Sequence, residues 1–106
     1  MALDVNVSIS KIILILTLEI TNALDYATTK IALEKGLKEG NPLARGLMKW
    51  GWRKYQLVKF LLPQPLVASA LASEDPNYSY QTAMAIGSLV FGYAVINNLM
   101  LIRSVS

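Results

Sequence analysis

No charged residue occurs between Tyr80 and Ile102. A bilayer-crossing helix needs about 20 consecutive, mostly apolar residues, and this stretch supplies them. Tyr78 and Tyr80 at one end and Arg103 at the other suit anchoring at the two interfaces. A first apolar stretch, from about Ser8 to Ile31, contains the run Ile12-Ile13-Leu14-Ile15-Leu16 but also Glu19, Asp25 and Lys30. It is therefore expected to face lipid on one side only. A cleavable signal peptide is its rival reading, but the preceding region carries Asp4, Lys11 is the one cation there, and no small-residue cleavage site follows closely.

The second stretch, Tyr55 to Ala72, is the weakest. Lys59 lies near its start, and Pro63 and Pro65 interrupt it. Lysine can snorkel to the interface, and neighbouring helices can satisfy carbonyls that a proline frees. A re-entrant or interfacial segment stands as the alternative. The fold expected is an all-α, integral membrane domain over residues 1–106, with three transmembrane helices at about 8–35, 54–72 and 79–103. A short interfacial helix is expected at about 42–50.

Composition supports this class. Of 106 residues, 54% are apolar and 16% charged, where soluble domains carry about 25% charged. A short soluble chain exposes much of its surface and needs more polar residues than these. The chain has no Cys and no His, which excludes disulfides, thiolate nucleophiles, the usual zinc sites and a Ser-His-Asp triad. No metal, cofactor or catalytic residue is expected.

Charge placement sets a topology. Lys35, Lys38, Arg45, Lys49, Arg53, Lys54 and Lys59 cluster around the first connection, opposed by Glu34 and Glu39, while the second connection, residues 73–79, has no cation. The positive-inside rule then places the first connection and the C-terminus in the cytoplasm and the N-terminus outside. The net charge of +3 is accounted for by this signal and by contact with anionic lipid heads, so no nucleic-acid partner is invoked.

The first connection has its own local signals. Gly36 suits a helix stop, because glycine adopts left-handed C-cap geometry without strain. Asn41-Pro42 reads as an N-cap followed by the first helical position. Trp50 and Trp52 follow and favour the headgroup level.

The polar content of the first helix is the main functional signal. At about 100° per residue, Glu19, Asn22, Asp25, Tyr26 and Thr29 fall within an arc of about 120°. An unpaired Asp near a bilayer centre costs about 2.5 kcal/mol or more on insertion scales, so these carboxylates require protonation, a partner or a hydrated cavity. One reading is an ion or proton site, with Asp25 supplying a carboxylate and Asn22 and Thr29 neutral oxygens. The other is a buried polar cluster that joins helices, with Lys59, Asn97 or Gln81 as partners. Two carboxylates alone do not specify acid–base catalysis.

Small residues at four-residue spacing in the third helix, Ala83 with Gly87 and Ser88 with Gly92, allow close helix approach. The contact lies either within the chain or between copies. Asn97 and Asn98 can bond across helices, and one of the two is expected to face the first helix.

The stretch Asn22-Ala23-Leu24-Asp25-Tyr26-Ala27-Thr28-Thr29, followed by Glu39-Gly40-Asn41-Pro42-Leu43, resembles an uncharacterised family of small prokaryotic membrane proteins. The resemblance covers about Thr21 to Met48 and picks out Asp25, Thr29, Glu39, Asn41 and Pro42 as motif positions. It implies a multi-helix membrane protein and no activity. Pro63 and Pro65 lie outside the pattern. The functional expectation is a non-catalytic oligomeric or accessory subunit, with the lipid bilayer and a second copy or other membrane subunits as partners. The alternative is an ion- or proton-conducting component using Asp25 and Glu19.

Overall fold

The computed structural model describes residues 8–37, 42–75 and 77–105. The described residues form five helices: α1 (Ile9–Glu34), α2 (Pro42–Trp50), α3 (Trp52–Leu61), α4 (Gln64–Ala72) and α5 (Ser79–Ser104). Glu39 and Asn41 of the loop motif lie outside the described residues, while Pro42 opens α2.

Helices α1 and α5 have 26 residues each and form the main packed pair. At about 1.5 Å per residue, each exceeds a hydrocarbon core of about 30 Å. They are the two helices long and apolar enough to cross a membrane, and only 22% and 11% of the residues in their most apolar windows are buried. The core helix of a soluble protein would be mostly covered. Here Ile13, Leu16 and Ile20 of α1 and Leu89, Ile96 and Met100 of α5 stay exposed.

Three transmembrane helices were expected, and among the described residues two single helices are long and apolar enough to cross a membrane. Segment 52–72 breaks at Leu62-Pro63 into α3 and α4, of 10 and 9 residues. Pro63 has no N–H for the Lys59 carbonyl, and its ring crowds that oxygen, so a straight helix cannot pass through. The two pieces still run antiparallel along α1. Trp52 sits beside Tyr26, Lys59 reaches Asp25, Gln64 reaches Glu19, and Ser73 meets Lys11.

Local signals explain the helix ends. The Ser8 side chain accepts from the Lys11 amide and starts α1. At its other end Gly36 adopts φ +87°, and the amides of Leu37 and Gly36 close on the carbonyls of Ala32 and Leu33. That is the Schellman pattern of a glycine C-cap. Gly51, at φ +151°, turns α2 into α3 in a conformation that L side chains rarely adopt.

The apolar core is small. Leu18, Ala70 and Met84 are buried, with Ile15, Val67 and Phe91 against them. Gly87 lets α5 come close to α1 here: a Cβ at this position would lie 2.9 Å from Cδ1 of Leu18. Gly92 differs, since nothing lies within 4 Å of where its Cβ would stand. The expected packing role of Gly92 is therefore not exercised within this chain. Ser88 is buried, and its hydroxyl donates back to the Met84 carbonyl; Ala83 is half-buried.

Candidate functional site

The polar arc of α1 turns inward, and each of its polar side chains meets a partner from another helix or from the turn beside it. Asp25 lies at the centre. Its Oδ2 accepts from the Lys59 ammonium at 2.7 Å, with the two side chains 15% and 10% exposed. Its Oδ1 accepts from Thr29 Oγ1 at 3.4 Å and Asn98 Nδ2 at 3.3 Å. The Asn98 amide also lies within donating distance of Thr28 Oγ1 at 2.9 Å and Thr29 Oγ1 at 3.0 Å. The cationic partner of Asp25 is thus a side chain of the same protein.

Asn22 does not join this carboxylate. It is 1% exposed, and its Nδ2 donates to the backbone carbonyl of Lys59 at 3.0 Å. That carbonyl is the one deprived of its helical donor by Pro63, four residues on. Its own Oδ1 is buried without a partner among the described residues. Glu19, one turn further along α1, receives the Gln64 amide at 2.8 and 3.1 Å. The same amide lies 2.9 Å from the Phe60 carbonyl. The break at Pro63 is therefore sealed by two carboxamides, one from α1 and one from the break itself.

Four aromatic side chains stand beside this network. Trp52 Nε1 donates to the Tyr26 hydroxyl at 3.1 Å, and the Tyr26 ring lies 5.1 Å from Phe60 and 6.3 Å from Tyr55. Next to them a cavity of about 310 Å³ opens between α3 and α5, with Asp25 and Thr29 at its base and Ala44 and Leu47 of α2 at its edge.

A second polar group closes the opposite end. Ser10 donates to Gln81 at 2.7 Å, and Lys11, 2% exposed, donates to the Ser73 carbonyl. The Asp75 carboxylate accepts from the amides of Tyr80 and Gln81, both at 3.0 Å. It caps α5 from three residues ahead of the helix boundary, where an anion also meets the positive end of the helix dipole. Burial pushes the Asp75 carboxyl up, but the two amides and the charge of Lys11 outweigh it and hold the group below its ordinary value.

One of Asn97 and Asn98 was expected to face the first helix, with Asn97 named among the partners of the arc, and that place is taken by Asn98. Asn98 makes the bonds to α1, while Asn97 is exposed and lines the cavity. Gln81, another proposed partner for the arc, instead serves the far end. Gln64 and Asp75 were not singled out by sequence. A glutamine between two prolines in an apolar run was the signal for Gln64, and the acidic turn ahead of a helix was the signal for Asp75.

Fold and site together define an all-helical protein in which two long apolar helices enclose a buried polar network. The chain belongs to the DUF5658 family, described as a domain of unknown function, whose model matches residues 13–104. That match runs from the first turns of α1 to the last residue of α5 and so includes the whole Asp25 network. No curated protein and no solved structure matches the chain.

Proposed function

We propose that this chain is a small integral membrane protein with a non-catalytic role, a structural or accessory subunit of a membrane assembly. One observation carries the reading: each polar side chain of the α1 arc from Glu19 to Thr29 makes a hydrogen bond inside the chain, while the outward faces of α1 and α5 are largely apolar. Glu19, Asn22, Asp25, Thr28 and Thr29 are all hydrogen-bonded. Two further hydroxyls of α1, those of Thr17 and Thr21, donate to carbonyls one turn back, both at 2.7 Å. Such back-bonding is how a hydroxyl is satisfied where water is absent. In this reading α1 and α5 cross the bilayer and the broken α3–α4 unit crosses beside α1, with the carbonyls of Lys59 and Phe60 covered by Asn22 and Gln64.

Because the arc is satisfied within one chain, oligomerisation is not needed to cover it. The exposed face of α5 around Gly92 is then the surface left for a second copy or another subunit. The topology that accompanies this reading has the N-terminus and residues 73–79 outside, and α2 and the C-terminus in the cytoplasm.

A conducting role is the second reading, favoured by the cavity beside Asp25 and Lys59. It requires several copies, since three crossings are too few for an ordinary transporter. The deciding measurement is the mass of the protein in nanodiscs, as wild type and as Asp25→Asn, with proton and cation flux recorded in liposomes. A defined assembly without flux supports the subunit reading. Flux that Asp25→Asn abolishes, with the assembly preserved, overturns it in favour of conduction. A cysteine-free chain also permits single cysteines at Lys49 and Ser79, expected to react from opposite sides of the membrane.

A further inference from the structure

The cavity between α3 and α5 has features that the subunit role leaves unused. The two helices keep their Cα traces more than 8 Å apart throughout. The Lys59 side chain reaches across the gap, with its Nζ 4.6 Å from the centre of the Phe91 ring. Beyond Pro63, α4 packs against α5 and ends the cleft there.

Its lining is divided. Val58 of α3 and Leu62 just beyond it face Val90 and Phe91 of α5 on the apolar part. Asn97, Asn98 and Lys59 supply the polar part, beside the edge formed by α2. The ammonium of Lys59 has three protons, of which the Asp25 bond takes one. The Asn97 side chain is exposed at the cleft. From Pro42 to Leu61 the helices α2 and α3 carry Arg45, Lys49, Arg53, Lys54 and Lys59 and no acidic residue. The rings of Tyr26, Trp52 and Tyr55 gather at the same level, the depth that such rings favour in a bilayer.

From this we propose that the α3–α5 cleft binds an anionic phospholipid. Its phosphate group sits beside Lys59 and Asn97 at the level of α2, whose Arg45 and Lys49 lie outside the lining and add positive potential from a distance, and an acyl chain lies along Val58, Leu62, Val90 and Phe91. The Asp25–Lys59 pair is neutral overall, so Lys59 and Asn97 serve the head as hydrogen-bond donors, and its charge is attracted by the surplus cations of α2 and α3. This proposal rests on the membrane reading above.

The test uses the full chain extracted from phosphatidylcholine nanodiscs that contain a minority of phosphatidylglycerol, with retained lipids counted by native mass spectrometry. Wild type is expected to retain phosphatidylglycerol in several-fold excess over its share of the bilayer. Ala94→Trp, which fills the cleft, is expected to lose that lipid while keeping its helical circular dichroism. Should Ala94→Trp not fold, Val90→Trp applies the same block from an exposed position at the mouth. Arg45→Gln with Lys49→Gln is expected to lower the preference by up to about fivefold per charge removed. Equal retention of the two lipids by wild type, or full retention by a folded cleft-filling variant, overturns the proposal. A carbonate wash separates the two levels of failure. A chain in the pellet without lipid preference overturns the site alone, whereas a chain in the supernatant overturns the membrane reading and the site with it.

Discussion

Asn22 donates from α1 to the backbone carbonyl of Lys59 at 3.0 Å, replacing the donor that Pro63 removes. A proline break inside an apolar segment leaves an oxygen without a partner, and the cost of that oxygen depends on what the neighbouring helix offers. Here the neighbour offers a carboxamide at the right turn. Asn22→Leu is expected to destabilise the fold by about 1 kcal/mol, near the lower end for orphaning a buried acceptor, because it also removes the unpartnered Oδ1. In a Pro63→Ala background the new amide can serve Lys59, and the same change should cost less. Unfolding of all four proteins in detergent measures the coupling. A coupling of zero would remove Asn22 from this role.

The Asp25–Lys59 pair should respond asymmetrically to single and double replacement. Asp25→Asn leaves a cation with little solvent access. The expected loss is about 2–3 kcal/mol, less than the about 3–5 of a fully buried pair, because both side chains retain some exposure. Asp25→Asn combined with Lys59→Gln removes both charges and should recover more than half of that loss. Thermal unfolding in one detergent, followed by near-ultraviolet circular dichroism, provides the comparison. A double variant less stable than either single one would contradict the pairing.

Gly87 and Gly92 share a spacing pattern but are expected to differ in effect. Gly87→Ala places a methyl 2.9 Å from Leu18 Cδ1, and Leu18 is 2% exposed and packed in the core with Ala70 and Met84, so its shift disturbs that packing. Overpacking of this kind costs about 1–3 kcal/mol. Gly92→Ala meets nothing in the chain and should leave monomer stability unchanged or slightly raised. A fall in nanodisc mass on Gly92→Leu, with unchanged helicity, would place Gly92 at a contact between copies.

Asp75 makes the stability sensitive to acid. Its folded carboxyl lies below the ordinary value, so the ionised form stabilises the fold above the unfolded pKa of about 3.9. That contribution disappears as the pH falls through the lower, folded pKa, since protonation then removes the acceptors for the Tyr80 and Gln81 amides. Asp75→Asn tolerates the backbone φ of +54° and keeps one acceptor oxygen. It should therefore lower stability at neutral pH and flatten the dependence below about pH 4. Unfolding midpoints between neutral pH and pH 3 test the slope, and a slope unchanged in Asp75→Asn would assign it elsewhere.

Periodicity and local chemistry determined much of this protein. A charge-free run of bilayer length made α5. The 100° spacing of Glu19, Asn22, Asp25 and Thr29 marked the inner face of α1, and Gly36 and Pro42 bounded the first connection through backbone geometry alone. These signals are legible because each depends on residues within a few turns of one another. The partners of the arc were not. Asp25 and Lys59 are separated by 34 positions and Asp25 and Asn98 by 73, and only the packing of helices brings them together. Asn97 and Asn98 differ by about 100° around a helix that is apolar on nearly every side, so hydropathy gives α5 no phase from which to choose between them. The prolines foretold a break in the second segment, but not that Asn22 and Gln64 would seal it. That depended on the depth at which α1 passes the freed carbonyls, which tertiary packing alone decides.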